Sequence, residues 1–132
     1  MKHVSLAAVL AAVTALATLA APARAEVTVL DNNRTLDIDC AKDPEIALVG
    51  NHITLSTQGV CATITILGNH ASVRGSSREV NVAGNHNTLS LVAADDVSVA
   101  GNHNTVSVRK GVTRKAPRIS NLGTDNRVIQ PD

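Results

Sequence analysis

Aromatic side chains are missing from this chain of 132 residues, which contains no Phe, Tyr or Trp. Aromatic faces are the platforms on which single-stranded nucleic acids stack. They also supply many of the anchors that dominate protein interfaces. The sequence therefore excludes a nucleic-acid partner bound by stacking, and it argues against a carbohydrate groove built on aromatic rings.

A large excess of charge of one sign is also missing. Twelve Lys and Arg residues stand against eleven Asp and Glu residues, and the formal net charge is +1. Such a balance lacks the basic excess expected of a protein that binds nucleic acid or a membrane surface. The distribution is nevertheless uneven, with acidic residues near the start of the repeats described below and basic residues near their end. The basic residues at that end are Arg109, Lys110, Arg114, Lys115 and Arg118.

One long apolar run opens the chain, and no other follows it. Lys2 and His3 precede a segment rich in Ala, Leu and Val over 4–21, and residues 23–25 have the small-x-small sequence Ala-Arg-Ala. This pattern predicts a signal peptide over residues 1–25. No later run approaches the roughly 20 apolar residues that span a bilayer. We therefore expect a single domain over 26–132, exported to an oxidising compartment.

A short phrase that begins with Gly-Asn recurs along the exported part. Four clear copies start at Gly50, Gly68, Gly84 and Gly101, and degenerate copies start at Asp31 and Gly123. Self-similarity at a short, nearly fixed period is the signature of a solenoid. The repeat is therefore the feature from which the fold is predicted.

Apolar residues alternate strictly before the start of each copy. The pairs that lie four and two residues before it are Val27/Val29, Ile46/Leu48, Ile64/Ile66, Val80/Val82, Val97/Val99 and, more loosely, Ile119/Asn121. Another column, five residues after the start, consists of Leu36, Leu55, Val73, Leu89, Val106 and Val128. Alternation of period two predicts strands with one buried face.

Two short strands per repeat are too few to form a core alone. Stacked coils solve this, because each strand pairs in parallel with its counterpart about 4.8 Å away in the next coil. The sequence therefore predicts an all-β fold, a short parallel β-solenoid of about six two-stranded coils. Turns over 42–44, 58–59, 75–77 and 93–96 are expected to separate the coils. A small antiparallel β-sandwich is the alternative architecture.

The two cysteines of the chain, Cys40 and Cys61, both lie in the exported part. An even count in an exported domain favours one disulfide. The two residues follow their repeat starts by similar distances in adjacent coils. We therefore expect a bond that links the first two coils.

The run over 80–91 reads Val-Asn-Val-Ala-Gly-Asn-His-Asn-Thr-Leu-Ser-Leu and recurs with variation over nearly all of 27–128. It resembles the Gly-Asn-x-Asn-Thr-Val repeats of the exported bacterial proteins grouped as domain of unknown function 3060. The resemblance implies an exported bacterial repeat protein, periplasmic or secreted, and carries no activity with it. This chain departs from the general pattern by placing His at the x position in four copies.

The Gly-Asn pairs are expected to be structural. Gly supplies the positive φ that a tight turn needs, and stacked Asn side chains bond to turn backbone and to one another. These residues are Gly50, Asn51, Gly68, Asn69, Gly84, Asn85, Gly101 and Asn102.

The histidines of the exported part, His52, His70, His86 and His103, occupy one place in the repeat. Stacking predicts a single column with a spacing of about 4.8 Å. We expect that neighbouring imidazoles could share a Zn, Cu or Ni ion, whose distance from each nitrogen is about 2 Å. Protonation would also bring like charges together in acid. A metal-binding or pH-responsive column is therefore the second functional hypothesis, and solvated turn residues are the alternative interpretation.

The sequence offers little that indicates catalysis. It has no Gly-x-Ser-x-Gly motif, and its adjacent carboxylates Asp95 and Asp96 lie in an expected turn. We expect no catalytic residues, no enzyme activity and no cofactor. The first functional hypothesis is a structural or binding module of the cell envelope. Its partner is an envelope component or a second copy stacked on the end of the rod, and the five basic residues named above are the candidate contact with a polyanion or partner.

Overall fold

A computed structural model describes residues 26–130, and the predicted signal peptide over 1–25 lies outside these residues. The chain forms β-strands and no helix over the described part. The nine strands are β1 (Glu26–Leu30), β2 (Thr35–Asp39), β3 (Glu45–Val49), β4 (Thr54–Leu67), β5 (Ser72–Ala83), β6 (Thr88–Asn102), β7 (Thr105–Lys110), β8 (Arg118–Thr124) and β9 (Arg127–Ile129).

Every strand pair is parallel and joins equivalent positions of successive repeats. One face of the coil stacks the segment before the Gly-Asn turn, so that Val27 pairs with Ile46 and Ile46 with Ile64. The other face stacks the segment after the turn, as in the pair Thr35 and Thr54. The chain is thus a parallel β-solenoid of about six turns, as predicted. The antiparallel sandwich is wrong, because the strands pair with their counterparts one coil away and not with sequence neighbours in hairpins.

The corners between coils differ from the prediction. Strands β4, β5 and β6 run for 14, 12 and 15 residues through the corners at which turns were expected. Small side chains stack inward there, and Cys61, Ser77 and Ala94 are fully buried. The bend is absorbed by shifts of register in two places, between Ser56 and Val60 and next to Gly75. Because small residues let the backbones of these corners pair, only the turn near residue 42 interrupts the strands as expected.

The alternating residues fill a thin aliphatic interior. Ile64, Ile66, Val80 and Val99 are at most 2% exposed, while Val27 at the first coil is only partly buried. The buried pairs and the column after the turn therefore form the core that the alternation predicts. Burial decreases at both ends because the terminal coils have a neighbour on one side only.

Cys40 and Cys61 form a disulfide across the corners of the first two coils, with a Cα–Cα distance of 4.8 Å. Both residues are buried. A disulfide is compatible with an extracytoplasmic location. Over residues 26–130 there is no helix with the length and apolarity needed to cross a membrane.

Candidate functional site

The Gly-Asn-His turns form one corner of the solenoid. The histidine is the residue in left-handed conformation, with φ values of 56–58° at His52, His70, His86 and His103. Left-handed φ is uncommon for residues other than glycine, and Asn, Asp and His are enriched among the exceptions. Asn33 and Asp125 hold the same conformation at φ 56° in the first and last coils. The turn therefore needs a residue that tolerates this geometry, and histidine is one choice of several.

The glycine of each turn is required by close packing along the stack. A β-carbon at Gly84 would overlap the carbonyl oxygen of Gly68, and one at Gly101 would overlap that of Gly84. Gly84 and Gly101 also have φ values of 144° and 127°. The expected positive φ is thus present there and at Gly50 but not at Gly68, where the prediction is wrong and glycine is required by the close approach of the Gly50 carbonyl oxygen alone.

The first asparagines of the turns form an outer ladder. The Asn51 Oδ1 atom accepts hydrogen bonds from the backbone N–H of Asn69 at 3.2 Å and from its side-chain amide at 3.0 Å. Asn85 makes the same two bonds to Asn69, at 3.0 and 3.2 Å. The backbone N–H of Asn102 then donates to the Asn85 Oδ1 atom at 3.0 Å. These side chains are occupied in holding successive turns together.

A second, inner asparagine ladder was not predicted. Asn87 and Asn104 are 0% and 1% exposed. The Asn104 Oδ1 atom accepts from the backbone N–H of Asn87 at 3.0 Å, and its amide donates to the Gly84 carbonyl at 2.9 Å. Asn126 continues the ladder in the last coil. The second Asn of the Gly-Asn-His-Asn phrase could have predicted this ladder. The pattern is incomplete, however, because Ile53 fills the same position in the second coil.

The four imidazoles form a single stack on the outside of the corner. The ring centroids of His52 and His70 are 4.9 Å apart, those of His70 and His86 5.1 Å, and those of His86 and His103 5.0 Å. The angles between neighbouring ring planes are 11°, 17° and 4°. The predicted column is therefore present as nearly parallel rings, and its members are solvent-exposed.

The ends of this column differ chemically. Asn33 precedes it in the first coil, and Asp125 follows it in the last. The Asp125 Oδ2 atom lies 3.5 Å from the His103 Nε2 atom. In residues 26–130 the imidazole nitrogens of His52, His70 and His86 make no hydrogen bond. Three imidazoles thus keep their nitrogen atoms available to a ligand.

A shallow groove of about 800 Å³ runs along the imidazole stack. Its lining consists of the outer asparagines, the four histidines, Asn32, Asn33 and Thr124. Because the lining extends over six coils, five steps of about 4.8 Å give it a length of about 24 Å. The groove is therefore straight and polar, and it presents the same groups at regular intervals.

The stack limits how a metal ion could be bound. The lone pair of an imidazole nitrogen lies in the ring plane, so the lone pairs of parallel rings point side by side. An ion about 2.0–2.1 Å from two nitrogens would require at least one ring to rotate. Within residues 26–130 no group of three or more His, Cys, Asp or Glu side chains is arranged to hold a metal ion.

The loop over 111–117, which joins β7 to β8, is held against the solenoid by Asp95. The Asp95 Oδ1 atom accepts hydrogen bonds from the backbone N–H groups of Val112 at 2.7 Å and Thr113 at 2.8 Å, and the Thr113 hydroxyl donates to Oδ2 at 2.7 Å. Burial raises the pKa of the Asp95 carboxyl, but hydrogen bonds from Thr113, Val112 and Arg114 outweigh this effect and lower the pKa below its ordinary value. The loop is therefore anchored to the solenoid, a contact that the sequence did not predict.

The five basic residues lie at the end of β7, in the loop that follows it and at the start of β8. Arg109 lines a depression with Arg74, Ser90 and Ser107. Arg118 lines another depression, next to acidic side chains that include Asp96. Lys110 ends β7, and Arg114 and Lys115 lie in the exposed loop that follows. Arg109 and Arg118 thus line two different depressions, and the role of the five residues as a contact stays a prediction.

Comparison with known proteins supports the family resemblance. The model of the family described as "Protein of unknown function (DUF3060)" matches residues 68–125, which include the turns at Gly68, Gly84 and Gly101. No curated protein matches the chain. No solved structure matches it either. The family description assigns no activity.

Proposed function

With residues 68–125 assigned to the DUF3060 family of proteins of unknown function, we propose that the chain is an exported, non-enzymatic binding module of the bacterial cell envelope. Its binding surface is the groove along the imidazole stack. The observation that carries the proposal is the set of exposed imidazoles whose nitrogens have no partner within residues 26–130. The turn does not require them, because Asn33 and Asp125 adopt the same backbone conformation.

The ligand class that fits this groove best is an extended anionic polymer of the envelope. The donors recur at one spacing along a straight line of about 24 Å, and a polymer can follow such a line over several coils. A neutral imidazole has one N–H donor, and a protonated imidazole has two donors and a positive charge. The chain has no Phe, Tyr or Trp, and the imidazole faces stack on one another, which argues against ligands bound by stacking. Phosphate or carboxylate groups would instead be held by hydrogen bonds and charge.

Acid is expected to strengthen this binding. Charges on rings 5.0 Å apart, as for His86 and His103, repel by about 0.8 kcal/mol at the dielectric of water. A bound anionic polymer relieves that repulsion. Because binding and protonation are thermodynamically linked, the bound polymer also favours protonation of the imidazole stack. Asp125 is the carboxylate next to the stack, 3.5 Å from His103. Binding should therefore be weaker at this end than near His52 and His70.

The test measures the affinity of the protein for inorganic polyphosphate and for heparin at pH 5.5 and 7.5. The matched variant replaces all four histidines by Asn, a residue that the first coil already holds at this position. We expect tighter binding at pH 5.5, and loss of that gain in the variant. A second variant replaces Arg109, Lys110, Arg114 and Lys115 by Gln. Binding that survives the histidine changes but fails in this second variant would contradict the proposal.

A metal-binding role is the second candidate. The proximity of Asp125 to His103 supports it, because a carboxylate oxygen is an acceptable zinc ligand beside imidazole. After rotation of one ring, His86, His103 and Asp125 would offer three ligands at one end of the column. Native mass spectrometry with zinc, copper or nickel tests this role. Uptake of one ion that is lost on Asp125→Asn but kept on His52→Asn supports it, and no uptake refutes it.

A further inference from the structure

Both ends of the solenoid present unpaired strand edges. In the described part of the chain, β1 pairs with β3 alone and β2 with β4 alone. At the other end, β8 pairs with β6 alone and β9 with β7 alone. Each terminal coil therefore exposes a row of backbone N–H and C=O groups, which is a template for pairing with another chain. Solenoids usually protect such ends with polar capping repeats.

We propose that copies of this chain associate head to tail, with the first coil of one copy stacked on the last coil of the next. The register of the internal pairs fixes the alignment. One column of paired residues runs from the first coil to the last. It begins with the pair of Glu26 and Glu45 and ends with the pair of Asp96 and Arg118. Continuing the column into a second copy places the partner copy's Glu26 beside Arg118. The interface is then one more step of the same parallel ladder.

The exposed apolar residues support this alignment. Leu30 is 75% exposed and Leu122 is 65% exposed, the two largest values among the exposed large hydrophobic residues. Both belong to one column, in which Leu30 pairs with Val49 and Leu122 with Ala100. Stacking in register would place Leu122 of one copy beside Leu30 of the next, about 4.8 Å away along the ladder. Each copy would then cover the most exposed large apolar side chain at each end.

Charge gives the association its direction. The first coil carries Glu26, Asp31, Asp37 and Asp39 against Arg34, which lies 3.6 Å from Asp31, so it stays acidic; the last coil carries Arg118 and Arg127 against Asp125, so it stays basic. Head-to-tail contact brings these opposite charges together, whereas head-to-head or tail-to-tail contact juxtaposes like charges. An interface between two different surfaces of the same chain does not close as a two-fold dimer. The expected product is therefore an open series of stacked copies.

The interior of the last coil makes this association reversible. Asn121 takes the inward position that Val99 holds one coil earlier. Its Oδ1 atom accepts a hydrogen bond from the Asn126 amide at 2.9 Å. In the stacked pair this polar side chain would lie against Val29 of the next copy, which weakens the apolar contact. We expect association that rises with protein concentration and falls with ionic strength.

The test uses sedimentation velocity over a range of concentrations at low and high salt. Leu30→Lys alone and Leu122→Glu alone should each abolish association, because a charge replaces an apolar contact. An equimolar mixture of the two variants should restore association. When the two variants alternate along the series, every interface pairs either two leucines or Lys with Glu. Leu67→Lys is the matched control, because Leu67 belongs to the same column in an interior coil and is 47% exposed.

Association of the wild-type protein and the Leu67→Lys control, its loss in each single variant and its recovery in the mixture would together support the proposal. A wild-type protein that stays monomeric at every concentration and salt would overturn it. Association that both single variants retain would also overturn it, because another surface would then be responsible. The assay needs no ligand of the imidazole groove, so its result is independent of the function proposed above.

Discussion

Replacement of Asn104 by Ala should be strongly destabilising, because this side chain bonds the turns of three successive coils. It accepts from the Asn87 backbone N–H at 3.0 Å and donates to the Gly84 carbonyl at 2.9 Å and to the Asn126 Oδ1 atom at 3.0 Å. Asn104 is 1% exposed, so water does not replace it without opening the corner.

The magnitude follows from the groups left without partners. Asn104→Ala leaves one backbone N–H and one backbone carbonyl unpaired near a buried site, and each such group costs roughly 1–3 kcal/mol. The expected loss in the free energy of unfolding is therefore about 2–6 kcal/mol. Asn85→Ala in the outer ladder is the control. Because Asn85 is only partly buried and water can replace its bonds, that change should cost about 1 kcal/mol.

Urea unfolding followed by far-ultraviolet circular dichroism measures both changes, with the slope of each transition checked for two-state behaviour. Asn104→Ile gives a second comparison, because Ile53 fills the same position in the second coil. If Asn104→Ala cost no more than Asn85→Ala, the inner ladder would not be the stabilising feature inferred here.

Three further changes test other parts of the structure. His86→Asn should alter the free energy of unfolding by less than about 0.5 kcal/mol. His86→Val should lower it by roughly 1–2 kcal/mol, because a β-branched residue resists a φ of 57°. Denaturant unfolding of the two variants measures this difference. The lowered pKa of Asp95 means that its stabilising effect is present above the ordinary carboxyl pKa and is lost as pH falls through the lowered value. The protection of amides in residues 111–116, expressed relative to intrinsic exchange at each pH, should therefore fall in acid, and Asp95→Asn should remove that change in protection. Reduction of the bond between Cys40 and Cys61, 21 residues apart, should lower stability by about 3 kcal/mol in the chain-entropy model; an unchanged thermal midpoint after reduction would refute this.

The fold was predictable because its information is local and repeated. Alternation around the starts of the copies assigned the buried face, and the constant offset from Gly68, Gly84 and Gly101 fixed the pairing of coils. The corners were predicted wrongly because the Gly, Ser and Asp residues found there favour turns in isolation. In the stack, the small residues of these corners let neighbouring backbones approach and pair.

The site was predictable only in outline. Equal spacing predicted the imidazole column, but not that its rings are nearly parallel, which changes how a metal could be held. The role of Asp95 depends on contact with a loop that lies 17 to 19 residues away in the sequence. The copy that starts at Gly123 places Asp125 at the histidine position, but its approach to within 3.5 Å of His103 was not predicted. Both require the three-dimensional stack.

The most direct measurement of the central claim is nuclear magnetic resonance of the imidazole nitrogens during titration with inorganic polyphosphate at pH 5.5. The four histidines of the groove give four resolved probes on one surface. Binding to the groove predicts shifts at His52, His70 and His86, with a smaller change at His103 beside Asp125. Shifts confined to the backbone of residues 109–118, with the imidazole signals unchanged, would contradict the account.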